Sequence, residues 1–172
     1  MKKLLILVSL LLAGFVAGAQ ELHCNFTSVK TFKAVHKEVK GVGTVTYTAP
    51  DHLSMGYSVP EGGYLIIEGN ILKNSVAGKA VTVDTSKNAL MRKLRNTLLD
   101  CINGDYEKAA RENDAELTVQ QKGAVKTVTL TARKQAVRGY SSIVIDYNAA
   151  GHPVRMVMDE FGGIETEFKF LY

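Results

Sequence analysis

The stretch Gly43-Thr44-Val45-Thr46-Tyr47-Thr48-Ala49-Pro50-Asp51-His52-Leu53-Ser54-Met55-Gly56-Tyr57-Ser58-Val59 decides how this chain folds. Val45 and Tyr47 fall on one face of an extended segment whose other face is threonine. Beyond Pro50-Asp51 the alternation resumes with Leu53, Met55, Tyr57 and Val59. A period of two is the side-chain period of a strand with one buried face, and Pro50 cannot sit inside a central ladder because it has no N–H to donate. The stretch therefore predicts two antiparallel strands joined near Pro50 and closed by the turn Pro60-Glu61-Gly62-Gly63.

Outward from this hairpin the same pattern continues on both sides. Upstream, the chain is rich in Val, Thr, Tyr and Phe from Thr27 onward, which favours strands over helices. Downstream, Tyr64 to Glu68 reads as a strand, Gly69-Asn70 as a turn, Ile71-Leu72 as a short strand fading toward Gly78, and Ala80 to Val83 as another. The period then changes. Ser86 is placed to cap a helix in which Leu90, Leu94, Leu98, Cys101 and Ile102 recur at helical spacing, and Asn103-Gly104 supplies a left-handed stop. Asp105 to Arg111 predicts a short second helix beside it.

Strands return in the last third. Leu117 and Val119 precede a turn at Lys122-Gly123, and Val128 and Leu130 follow it. Ile143, Ile145 and Tyr147 run up to a turn at Asn148 to Pro153. Val154, Met156 and Met158 then lead to Phe161-Gly162-Gly163, and Ile164, Thr166, Phe168 and Phe170 end the pattern. Strands, one main helix with a short companion, then strands again predict an α+β fold built on one antiparallel sheet.

The chain has 172 residues. Lys2 and Lys3, the apolar run Leu4 to Val16 and the small residues Ala17-Gly18-Ala19 read as a cleavable export signal over residues 1–19. The run is too short to span a bilayer as a helix. Cys24 follows Glu21-Leu22-His23, which is not a lipid-attachment box. Residues 20–172 are then expected to form a single domain. The net charge of +4 includes Lys2 and Lys3 and is otherwise dispersed, whereas nucleic-acid binding wants a concentrated basic face. Cys24 and Cys101 are the two cysteines, and an oxidising compartment leaves two outcomes open: a bridge, or two buried thiols. Asn25-Phe26-Thr27 matches a glycosylation sequon, which matters only in a eukaryotic secretory route.

Motifs for catalysis are lacking. His23, His36, His52 and His152 stand singly with no CxxC nearby, so no metal site is expected. There is no G-x-S-x-G elbow. Gly78-Lys79 has Lys73 and Ala80 where a phosphate loop needs glycine and Ser or Thr. Asp159-Glu160 and Glu165/Glu167 put carboxylates near a hairpin, where a solvated rim is the simpler reading than an acid–base pair. What remains is a sheet with one apolar face and one main helix to cover it. Either its concavity holds a cavity, with Met55, Met156 and Met158 adapting to irregular shapes, or it is an ordinary filled core.

The order of segments resembles the LolA-type periplasmic carriers of outer-membrane lipoproteins, in particular a divergent branch found in Bacteroidetes. Gly43 to Leu53 is similar to that family's hairpin with an aromatic residue before a P-x-x-L turn. Tyr57-Ser58-Val59-Pro60 and Tyr64-Leu65-Ile66-Ile67-Glu68-Gly69 are similar to its next strands. Met91 to Gly104, followed by Asp105-Tyr106, resembles its lid helix, and Met156 to Phe170 its closing hairpin. The family's arginine before the hairpin proline, which contacts the lid, is Ala49 here, and the chain has no Trp.

The resemblance implies a curved antiparallel sheet, an incomplete β-barrel covered by helices, that holds acyl chains of lipoproteins or another lipid without catalysis or cofactor. It implies lipid-lining roles for Val45, Tyr47, Leu53, Met55, Tyr57, Leu65 and Ile67, with Leu90, Leu94 and Leu98 from the covering helix. Expected partners are an inner-membrane lipoprotein exporter and an outer-membrane acceptor, met in the periplasm by a monomer. The alternative is a non-catalytic module with a filled core whose surface binds protein or glycan.

Overall fold

The structure, a computed structural model, describes residues 21–76, 78–134 and 139–172. The export signal expected over residues 1–19 and the boundary at Gln20 lie outside the described residues. Six strands come first: β1 (Glu21–Phe32), β2 (Lys37–Thr48), β3 (His52–Val59), β4 (Tyr64–Glu68), β5 (Ile71–Val76) and β6 (Lys79–Asp84). Two helices follow, α1 (Ala89–Asn103) and α2 (Tyr106–Asn113). Then come β7 (Ala115–Lys122), β8 (Val125–Ala132), β9 (Tyr140–Tyr147), β10 (Pro153–Glu160) and β11 (Ile164–Leu171).

All eleven strands form one sheet in the order β6-β5-β4-β3-β2-β1-β11-β10-β9-β8-β7. The first and last strands pair at its centre, from Asn25 opposite Leu171 to Phe32 opposite Ile164, and hairpins run outward on each side. The edges β6 and β7 do not pair with each other, so the barrel stays open, and the chain between them is helical. Inward-facing residues of both halves share one core cluster with α1 and α2. A sheet this wide can do so only by curving around it.

β1 starts earlier than the strand-rich reading from Thr27. Its period-two pattern begins with Leu22, Cys24 and Phe26, each 5% exposed or less. The chain ahead of Phe32 is thus the middle of the sheet rather than a cover over it. Val59 also departs from expectation, at 54% exposed. The register shifts between Val42 and Gly43, so Gly43 faces Tyr57 while Val42 faces Val59. This one-residue bulge turns Val59 to the outer surface. Gly43 itself is forced by packing: a Cβ there would run into the carbonyl oxygen of Gly56.

The start of α1 corrects the expected cap. Ser86 does not cap it: its Oγ donates to Asp84 Oδ1 at 2.6 Å, within a 3-10 turn over Thr85–Lys87. Asn88 caps the helix instead, its Oδ1 accepting from the Met91 N–H at 3.1 Å. Thr85 explains the delay. Its backbone N–H and its hydroxyl both donate to the Asn70 carbonyl at 2.8 Å, which pins the chain to the β4–β5 turn before the helix can begin. The stop is as expected, with Gly104 in the left-handed region at φ +83°.

Cys24 and Cys101 are both buried free thiols. Burial pushes Cys24 up and Cys101 to about 12, so neither is a ready thiolate.

Candidate binding cleft

The interior of the open barrel has two ends of different character, and α1 makes the difference. It is fastened to both halves of the sheet. Near its start, Arg95 Nε donates to the Gly69 carbonyl at 2.6 Å, with its guanidinium 3.7 Å from the carboxylate of Asp51 in the β2–β3 turn. Near its end, the Cys101 carbonyl accepts from Tyr147 Oη of β9 at 2.6 Å. Helix α2 lies alongside, held by Lys108 to Asp100 at 2.7 Å and by Asn113 Nδ2 donating to Thr97 Oγ1 at 2.7 Å. Asp100 is buried with one carboxylate oxygen lacking a partner among the described residues. Burial raises the pKa of Asp100 despite Lys108, and the hydrogen bond to Asp100 raises that of Lys108.

The helix's buried face carries Thr97, Leu99, Asp100, Cys101 and Ile102. The leucine stripe Leu90, Leu94 and Leu98 is therefore rotated off the centre of the interface and only half-buried. The cause is α2, which covers the polar side of α1 at Thr97 and Asp100 and so buries side chains that the leucine spacing left outside. Beneath α1 the barrel is filled. Val45, Tyr47, Leu53, Met55 and Ile67, five of the predicted lining residues, are each 2% exposed or less. Tyr47 donates to the Pro50 carbonyl at 3.3 Å, and burial pushes its phenol up to about 12.

At the other end, a cleft of about 340 Å³ opens on the concave face. Tyr57, Leu65, Met158 and Phe168 give it apolar walls, and Ser28, Ser75 and Thr166 add hydroxyls that are themselves at most 9% exposed. Gly41 makes the room. A Cβ there would come within 2.5 Å of Ser28 Oγ and 2.8 Å of the Tyr57 ring. That ring stands edge-on to Phe26 with centroids 5.0 Å apart. Burial raises the Tyr57 phenol, while its hydrogen bond to Ser28 acts the other way. Lys30, Lys40 and Glu160 supply the charged groups of the lining.

Tyr140 lines this cleft and also a second one of about 210 Å³, whose walls include Leu90, Leu94 and Phe161. Desolvation raises the Tyr140 phenol, which keeps it neutral and able to donate a hydrogen bond.

The ten residues predicted to line a cavity thus divide. Tyr57 and Leu65 line the larger cleft, Leu90 and Leu94 the smaller, Leu98 packs half-buried against the core, and the remaining five are enclosed beneath α1. Met158, one of the three methionines expected at a cavity, lines the larger cleft, together with Ser28, Thr166, Phe168 and Tyr140, for which the sequence pattern gives no lining role. The alternation of β10 and β11 marks Met158 and Phe168 as inward, but only the pairing of β11 with β1 brings them to Tyr57's cleft.

Three of the four carboxylates near the last hairpin are tied down, Glu160 being the exception. Asp159 and Glu165 both contact Lys33 Nζ, at 3.0 and 3.2 Å, and Glu167 accepts from Arg155 Nε at 2.6 Å. Among the described residues no three His, Cys, Asp or Glu side chains converge as a metal-ligand set, and no helix is long and apolar enough to cross a membrane.

An unclosed antiparallel barrel, filled at one end by a helix inserted between its edge strands and open at the other onto an apolar cleft, defines the open-barrel class of α+β proteins. The chain belongs to the LolA family: the family model described as outer membrane lipoprotein carrier protein LolA matches residues 17–171.

Solved structures that resemble it share little sequence. A LolA-superfamily protein from Nitrosomonas europaea is 12% identical, with a TM-score of 0.41, over 90% of this chain and 86% of that one. A putative outer membrane lipoprotein-sorting protein domain from Vibrio parahaemolyticus is 8% identical, with a TM-score of 0.40, over 90% and 84%. The Mycobacterium tuberculosis lipoprotein LppX is 10% identical, with a TM-score of 0.37, over 89% and 85%. No curated protein matches the chain.

Proposed function

We propose that this protein is a non-enzymatic periplasmic carrier that holds an acyl chain, of a lipoprotein or another lipid, in the open end of its barrel and delivers it toward the outer membrane. The observation that carries this reading is the cleft of about 340 Å³ walled by Tyr57, Leu65, Met158 and Phe168 on the concave face. That size falls within the range of about 300–1,000 Å³ typical of small-ligand sites. Burying a chain there is worth about 0.8 kcal/mol per methylene, which suits reversible holding. Membership of the LolA family supports the carrier role and the periplasmic setting. An inner-membrane exporter as donor and an outer-membrane acceptor complete the reading.

Displacement of a fluorescent fatty acid from the purified protein tests it. Saturable binding is expected, weakened by Leu65→Asp and Phe168→Asp and little changed by Val59→Asp on the outer surface. A folded protein that takes up no chain would overturn the reading. Crosslinking in cells from positions 57 and 65 would then identify the cargo.

A further inference from the structure

The larger cleft carries a sign of charge as well as an apolar wall, and that sign narrows the ligand. Along β1 the inward positions are Leu22, Cys24, Phe26 and Ser28, all buried. The next inward position is Lys30, which is half-buried and lines the cleft. A lysine at an inward register loses hydration, a cost usually met by a partner carboxylate. Among the described residues Lys30 makes no ion pair: its Nζ lies 5.7 Å from the centroid of Phe32, over an aromatic face.

Lys40 also borders the cleft, but it is exposed and pairs with Val29 across β1 and β2, a register that points outward. Glu160 is the lone carboxylate of the lining, but it lies on β10 opposite Tyr140, with β11 between it and β1. Two strand spacings put it about 10 Å from the strand that bears Lys30, and no ion pair joins the two. The apolar wall thus ends at Lys30, and this unpartnered charge sits where the head group of a bound chain would emerge.

We propose that the ligand of this cleft is an acyl chain with an anionic head group, a carboxylate or a phosphate, seated at Lys30. Ser28 and Thr166 flank Lys30 on the same face: Ser28 lies one step deeper on the inner face of β1, and Thr166 stands directly opposite Lys30 across β1 and β11. Their hydroxyls can donate to the head group's oxygens. The inference rests on the acyl-chain reading above and specifies its substrate class.

Competition against a fluorescent acyl probe with a neutral head separates the two claims. Dodecanoate, dodecyl phosphate, dodecanol and dodecyltrimethylammonium are compared on the wild-type protein, Lys30→Gln and Lys30→Arg, with inorganic phosphate as a free-anion arm. The expected result is roughly tenfold tighter binding of the anionic amphiphiles than of the alcohol, the scale of one charge-assisted hydrogen bond. Lys30→Gln should abolish that preference, bringing the anionic heads level with dodecanol, Lys30→Arg should retain most of it, and inorganic phosphate alone should not compete. The ratio of dodecanoate to dodecyl phosphate tells a fatty-acid-like from a phospholipid-like head. Equal binding of all four heads, or an anionic preference that survives Lys30→Gln, would overturn this proposal alone. Failure of every chain to bind, dodecanol included, would remove the carrier reading and this proposal with it.

Discussion

Arg95 of α1 donates its Nε–H to the Gly69 carbonyl at 2.6 Å, and so latches the helix to the rim of the β4–β5 turn. Its side chain is only 11% exposed, and its guanidinium also approaches Asp51 in the turn after β2. The LolA resemblance places an arginine before the hairpin proline to contact the lid, and Ala49 removes it. Here the helix provides the arginine and the barrel rim provides the acceptors.

Arg95→Ala should free the first half of α1. A partly buried charge-assisted hydrogen bond is worth about 1.5–3 kcal/mol, so the melting temperature should fall by on the order of 5 °C. Hydrogen exchange should rise over residues 89–98 more than in β8 and β9. Uniform loss of protection throughout the sheet would show that the latch is not local.

Two glycines of one hairpin should respond oppositely to the same substitution. Gly43→Ala drives a Cβ into the Gly56 backbone, where nothing flexible can yield, and should cost about 3 kcal/mol or more. Gly56→Ala meets nothing closer than Thr44 Oγ1 at 4.0 Å. It should leave the urea midpoint nearly unchanged.

Tyr147→Phe removes the buried hydrogen bond to the Cys101 carbonyl. The expected loss is about 1 kcal/mol, read from equilibrium unfolding. The ring still packs against Tyr106, with centroids 6.0 Å apart, so cooperativity of unfolding should be retained.

Asp100 gives stability a component that falls with pH. Its folded pKa is raised by burial above its unfolded value, so the native state binds the proton more tightly than the unfolded chain does. Stability from this group is full below the unfolded pKa, about 3.9, and declines as pH rises toward the folded pKa. The difference in urea midpoint between the wild type and Asp100→Asn, followed upward from pH 4, should shift steadily in favour of Asn and then level off. A difference independent of pH would show that Asp100 titrates as it does unfolded.

Both cysteines should react as free thiols when the protein is denatured without reductant. In the native state Cys101, 1% exposed and with its pKa pushed to about 12, should be inert to alkylation on the timescale that modifies an exposed thiol. One missing equivalent per chain in each position would mean that a bridge forms.

Much of this fold was legible because its signals are local. Val45 and Tyr47 share a face with Leu53 and Met55 because the side-chain period of an extended chain is two, whatever lies opposite. Gly104 ends α1 because a left-handed residue is needed there and glycine adopts it without strain. Tyr57 and Leu65 stand on the wall of the cleft. Leu90 and Leu94, although inward by helical spacing, were displaced to the smaller cleft, since spacing defines a stripe but not the direction in which the helix turns it.

The sequence by itself determined the strands, their two faces, the reversals between them and the α+β composition, because dihedral preference, turn chemistry and alternation act between near neighbours. Only the tertiary structure decided which side of the sheet is concave, that β1 pairs with β11, how far α1 is rotated by α2, and which end of the barrel is filled. Those outcomes depend on contacts between separate elements, from Asn113 with Thr97 across the two helices to Phe26 with Phe168, more than a hundred positions apart, whose ring centroids lie 6.0 Å apart. The cleft belongs to this second group. Its walls come from β1 to β5 and β9 to β11, and no short stretch of the chain contains enough of them to show that they meet.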